Sequence, residues 1–196
     1  MRKQLRPITL ISFFLCLSLC FPVWAKAKKT FVVNEVANLT EQPGWENHLI
    51  ALGIRNIVND ELYARGNYIP LEEKPEIMDQ IDKLIASRWT NSSTFPKPAT
   101  ELFSCDLTIS VRVTDFSRRR TRSIGLFAAA KTTVSVTVEI EIRDKEQPPI
   151  ILSGTGEGIT KSLGILFQIR SDKVHFNETT VGQATQKAVK NALSKL

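Results

Sequence analysis

Apolar and polar positions follow two different periods along this chain, and the change from one to the other organises it. From Trp45 to Ala64 the apolar residues Leu49, Leu52, Ile57, Val58 and Leu62 recur at helical spacing, with Gly66 placed as a helix-ending glycine. Pro75 opens a second helix to about Trp89, carrying Ile77, Ile81, Leu84 and Ile85 on one face. Thr90 to Pro98 (TNSSTFPKP) is loop composition, and beyond it the period falls to two. Leu107, Ile109, Val111 and Val113 alternate with Thr108, Ser110, Arg112 and Thr114, the mark of a half-buried strand. Val134, Val136, Val138, Ile140 and Ile142 repeat the pattern against Ser135, Thr137, Glu139, Glu141 and Arg143. Asp144 to Pro149 supplies a turn, and Ile150 to Thr160 reads as the returning strand.

Shorter signals complete the order. Thr30 to Val36 (TFVVNEV) is a β-type run, Tyr68 to Leu71 a short strand limited by Pro70, and Thr179 or Thr180 caps a C-terminal helix. That helix has Val181, Ala184, Ala188, Ala192, Leu193 and Leu196 as a modest apolar stripe. The predicted order is β-α-β-α-β-β-β-α. It implies an α/β (α+β) fold with a single mixed sheet, an antiparallel meander within it, and helices packed on it. Residues 26–196 read as a single domain, without repeat or low-complexity tract.

The first 25 residues stand apart. Arg2, Lys3 and Arg6 precede an apolar run from Ile8 to Val23, and Val23-Trp24-Ala25 offers a cleavage site, so residues 1–25 are predicted to be a secretory signal peptide. An uncleaved anchor is the competing reading, but the run is shorter than the ~20 residues a spanning helix usually needs. Lipidation at Cys20 is a third, disfavoured because Leu19 stands where a small residue is preferred. Removing the three basic residues lowers the formal charge from +6 to +3, which weakens a nucleic-acid reading. Cys16 and Cys20 leave with the signal. Cys105 then has no disulfide partner and is expected as a buried small hydrophobe.

Candidate chemistry is sparse. Gly154, Gly156 and Gly158 imitate a phosphate loop but lie in a strand, without the lysine or the strand-to-helix turn such loops need, so they are expected to mark bulges or close backbone approach. His48 and His175 have no ligand-spaced partner. No catalytic constellation, metal site or cofactor is predicted, and the expectation is a protein that is not an enzyme. The dense charge is Arg118, Arg119, Arg120 and Arg122, read either as a solvated loop or as a contact for anionic headgroups or an acidic partner. Two apolar stretches adjoin it in the expected topology: Ile124 to Ala130, with Leu126 and Phe127, and Leu163 to Ile169, with Ile165, Leu166 and Phe167. A hairpin turned at Gln147–Pro149 puts both at one edge of the domain, ringed by Arg122, Lys131, Lys161 and Arg170. The two readings of these stretches are a cap on the core and an interaction surface.

Asn177 to Val189 (NETTVGQATQKAV) resembles the C-terminal stretch of CsgG-like proteins, the curli production assembly/transport component family. The hairpin from Val134 to Asp144 into Ile151-Leu152-Ser153-Gly154-Thr155-Gly156, and the opening Thr30 to Val36, are similar to that family's hairpin and first strand, so the likeness spans most of the mature chain. It implies a periplasmic α/β domain that forms rings at the outer membrane in transporter members and acts in assembly in soluble relatives. Two features depart from the family: Leu19 spoils the lipobox, and segments 117–130 and 162–176 are short for membrane-spanning hairpins. The expected function is a periplasmic, outer-membrane-associated assembly or secretion-accessory protein. It would act as a homo-oligomer or with an envelope partner, with outer-membrane contact and no nucleic acid. The alternatives are an outer-membrane secretion channel subunit, and an envelope hydrolase or ligand-binding enzyme using Glu157, His175 and Glu178.

Overall fold

The computed structural model describes residues 27–40, 42, 47–71, 75–89, 103–123, 129–163 and 176–196. Its elements are β1 (Lys29–Asn38), α1 (His48–Tyr63), β2 (Tyr68–Pro70), α2 (Pro75–Arg88), β3 (Leu107–Ser123), β4 (Ala129–Asp144), β5 (Ile150–Leu163), a 3-10 turn (Phe176–Glu178) and α3 (Thr180–Leu193). The strands form one mixed sheet in the order β2-β1-β3-β4-β5, with β1 parallel to β2 and β3, and β3-β4-β5 an antiparallel meander. The predicted element order and fold class are therefore those observed. The predicted signal peptide lies outside the described residues. Among the described residues no helix is long and apolar enough to cross a membrane.

Local chemistry explains the boundaries. Asn47 caps α1 by accepting from the Leu49 amide, and Thr179 caps α3 by accepting from the Gly182 amide at 2.9 Å. Gly66, after α1, takes a φ of +76°. β1 enters beside β3 through a reciprocal clamp. The Asp106 carboxylate accepts from the Thr30 amide at 2.7 Å and its hydroxyl at 2.8 Å, while the Asp106 amide donates back to Thr30. Those two donors hold the Asp106 carboxyl below its ordinary range.

The core runs from Phe31, Val33 and Val36 through Ile109, Val111 and Val113 to Val136, Val138 and Ile140, closed by Ile54, Ile57 and Val58 of α1, Ile81 and Ile85 of α2, and Ala184, Ala188 and Val189 of α3. The interior strand β1 is buried on both faces, as expected for a parallel strand with crossover helices. α1 and α2 are joined by the Arg55–Asp82 ion pair. Two bulges shift the pairing, at Asn34 in β1 and at Thr114 in β3. Asn34 uses the distortion to accept from the Ser110 hydroxyl at 3.2 Å.

Three sequence expectations need correction. Arg118 to Ser123 are not a solvated loop. They continue β3 as far as the pair Ser123↔Ala129, because β4 offers a complementary run of Thr and Ala to pair with. Ala129 and Ala130, read as part of an apolar stretch outside the strand, belong to β4. The polar face of the meander is not uniformly wet: Thr108, Ser110 and Glu141 are buried, Glu141 at 3% exposure and paired with Arg143. Of the two readings offered for the β5 glycines, close approach is the one observed, since β4 and β5 pair without a register shift.

Candidate interaction surface

β3, β4 and β5 outrun the rest of the sheet. The last pair between β1 and β3 is Asn38↔Val113, yet β3 continues beside β4 to Ser123, and β5 accompanies β4 to Leu163. This three-stranded projection is stiffened from one side by α3. On β5, Gly154, Gly156 and Gly158 face α3 so closely that a Cβ on any of them would collide with backbone atoms of Ala188 and Ala192, Ala184 and Ala188, or Thr180 respectively. Helix backbone thus rests directly on strand backbone. The Thr160 and Thr180 hydroxyls hydrogen-bond where the helix begins.

The same helix covers part of the sheet's free edge. Lys187 Nζ donates to the Glu157 carbonyl at 2.8 Å, Asn191 Nδ2 to the Thr155 carbonyl at 2.8 Å, and Lys195 Nζ to the Ser153 carbonyl at 2.6 Å. β5 is the outermost strand, and its outward carbonyls would otherwise be open to another chain.

Beyond this cover the sheet becomes basic. Register aligns Arg118 with Val134 and Gly158, Arg119 with Thr133 and Ile159, Arg120 with Thr132 and Thr160, and Thr121 with Lys131 and Lys161. The bulge at Thr114 reverses the parity of β3. Phe116, half-buried, takes the inward position, and Arg118 and Arg120 follow it on the helix-bearing face while Arg119 lies on the other. Arg118, Arg119, Arg120, Lys131 and Lys161 are all exposed, and among the described residues no ion pair uses them. Of Arg122 the structure gives the pairing with Ala130. The two apolar stretches leave the sheet from adjacent strand ends, since Ala129 pairs with both Ser123 and Leu163. Ile124, Leu126, Phe127, Ile165, Leu166, Phe167 and Arg170 lie outside the described residues.

At the opposite end of the sheet a cavity of about 170 Å³ opens between Lys29, Tyr68, Leu107, Ile142, Asp144, Ile150 and Leu196. Lys29 Nζ lies 2.5 Å from Asp144, and this bond raises the lysine and lowers the carboxyl from their ordinary values. Sequence reasoning missed the cavity because its lining comes from segments far apart in the chain. Glu157 and Glu178, exposed elsewhere, do not line it, and His175 lies outside the described residues. His48 is exposed at the start of α1. Cys105 is 2% exposed, and burial pushes its thiol up to about 11, which suits packing rather than nucleophilic chemistry. Among the described residues no group of His, Cys, Asp and Glu is arranged to hold a metal ion.

No protein-family model matches the chain, and no curated protein matches it in sequence. Solved structures do overlap it. A hypothetical protein, CT253, from Chlamydia trachomatis aligns at 14% identity and a TM-score of 0.46, over 86% of this chain and 95% of that one. A PelC dodecamer from Paraburkholderia phytofirmans aligns at 16% identity and a TM-score of 0.39, over 88% and 90%. The lipoprotein GNA1162 from Neisseria meningitidis aligns at 14% identity and a TM-score of 0.36, over 69% of this chain and 84% of that one. None of these three carries the CsgG name.

Proposed function

We propose that this chain is a non-enzymatic accessory protein of the bacterial envelope, exported to the periplasm, that works by docking onto another envelope protein through the basic end of its three-stranded projection. The observation that carries the reading is the concentration of exposed cations at Arg118, Arg119, Arg120, Lys131 and Lys161, without an ion pair among the described residues, on strands packed against α3. Their nearest acidic neighbours along those strands, Asp115 and Glu157, stand on the inner side of them. Such a patch recruits an oppositely charged surface and speeds encounter with it. The signal peptide read in residues 1–25 supports the compartment, and the resemblance of Asn177 to Val189 to CsgG-like proteins supports the assembly role.

The test is to express the full chain with its signal, fractionate the envelope after cross-linking, and compare wild type with the triple variant Arg118→Gln, Arg119→Gln, Arg120→Gln. The expected result is a periplasmic protein that loses its cross-linked partner while keeping its circular dichroism spectrum. A variant that cross-links as wild type does would refute the docking surface.

The channel-subunit reading has one observation in its favour, the length of β3, β4 and β5 at 17, 16 and 14 residues. Strands that cross a bilayer present an unbroken apolar face to lipid. Arg118 and Arg120 on one face and Arg119 on the other leave neither face apolar, which favours docking over spanning.

A further inference from the structure

The edge of β5 is guarded along half its length and open along the rest. In an antiparallel ladder the amide and carbonyl of every second edge residue point away from the neighbouring strand. The bonds to Ser153, Thr155 and Glu157 identify that outward set, and unbroken pairing with β4 continues it to Ile159 and Lys161. The guarding row on α3 advances four residues at a time through Lys195, Asn191 and Lys187. Its next member, Gln183, makes no bond to Ile159, and one step further the helix has already ended at its cap, Thr179. Among the described residues nothing pairs with the outward backbone groups of Ile159 and Lys161.

We infer that this open stretch, Ile159 to Leu163, receives an extended acidic segment of a partner polypeptide as a sixth strand of the sheet. The inference rests on the docking role proposed above and gives that partner's chemistry. Strand addition needs free edge groups, which Ile159 and Lys161 present, and an apolar contact, which Ile159 offers at 44% exposure. The charge selects the occupant. Lys161 lies beside Lys131, and Arg119 is aligned with Ile159 across β4, so an incoming strand meets cations. A second copy of β5 pairing here would set Lys161 and its basic neighbours against their own copies, a repulsion that edge lysines commonly provide. A strand bearing Glu or Asp meets attraction instead.

The probe is a short, blocked, fluorescent peptide of alternating glutamate and valine, titrated by anisotropy against the full mature chain. Three comparisons accompany it: the same peptide N-methylated at alternate residues, a lysine-valine peptide, and the variants Lys161→Pro and Lys161→Gln. Proline removes only an outward amide, which an edge strand tolerates. The expected result is saturable binding of the acidic peptide that falls about tenfold on N-methylation or in Lys161→Pro, and only a few-fold in Lys161→Gln, with no binding of the lysine-valine peptide. The N-methylated peptide leaves the protein untouched, so a folding defect in the proline variant cannot mimic the result. Equal binding of native and N-methylated peptides, or absence of binding, overturns strand addition. If Lys161→Pro still recovers its cross-linked partner while the triple arginine variant does not, docking stands and strand addition falls.

Discussion

At Gly156 the side chain is a hydrogen atom because Ala184 and Ala188 of α3 leave room for nothing larger. Gly156→Ala is expected to push helix from strand and lower stability by about 1–3 kcal/mol, seen as a fall in urea midpoint at unchanged slope. A second test at this scale uses Asp106, whose carboxylate is shared by two Thr30 donors. It ionises more readily folded than unfolded, so its contribution is complete above the ordinary carboxylate range and vanishes as pH falls through its lowered value. Asp106→Ala should cost about 1 kcal/mol at neutral pH, near the low end for a charge-assisted bond because the group is exposed. The loss should shrink toward zero in acid, read from unfolding curves across pH. The glycines announced backbone contact in the sequence, but the partner in that contact, an alanine column some thirty residues away, could not be read there.

Among the elements, the strands were legible where one rule governed them. Alternation at 107–113 and 134–142 reports a face against the core, and the structure keeps both runs in place. It failed from 114 onward because a single bulged residue reverses which side chains point inward, and no periodicity predicts where an extra residue enters. Arginines then looked like a loop when they were strand. The buried Glu141 was invisible for a related reason, since alternation separates two faces but does not say that both are covered. The row Lys187, Asn191 and Lys195 tests how an element protects its neighbour. Replacing all three with alanine should leave α3 docked through its alanines and expose the carbonyls of Ser153, Thr155 and Glu157. The expected outcome is concentration-dependent self-association by light scattering, absent in wild type over the same range.

For the molecule as a whole, the sheet separates two chemistries. One end ties β1 to the start of β3 through the Thr30–Asp106 clamp and to the end of β4 through the Lys29–Asp144 pair, beside a small mixed cavity. The other carries a projection of three strands with exposed cations on both faces. Fold class and the order of elements along the chain follow from patterns within short windows and were available from the sequence. The meeting of Arg119, Lys131 and Lys161 depends on register across three strands, which only coordinates supply.

The fit of α3 to β5 has a geometric limit. Four helical residues rise roughly 6.0 Å and two strand residues roughly 6.6 Å, so each rung of contact leaves a remainder near half an ångström. Like the divisions of a vernier scale, the two rulers coincide for a few marks and then drift apart. A straight helix can therefore shelter only a short run of a strand's margin, however long both become, and a chain that extends such a strand acquires a bare border as a matter of measurement.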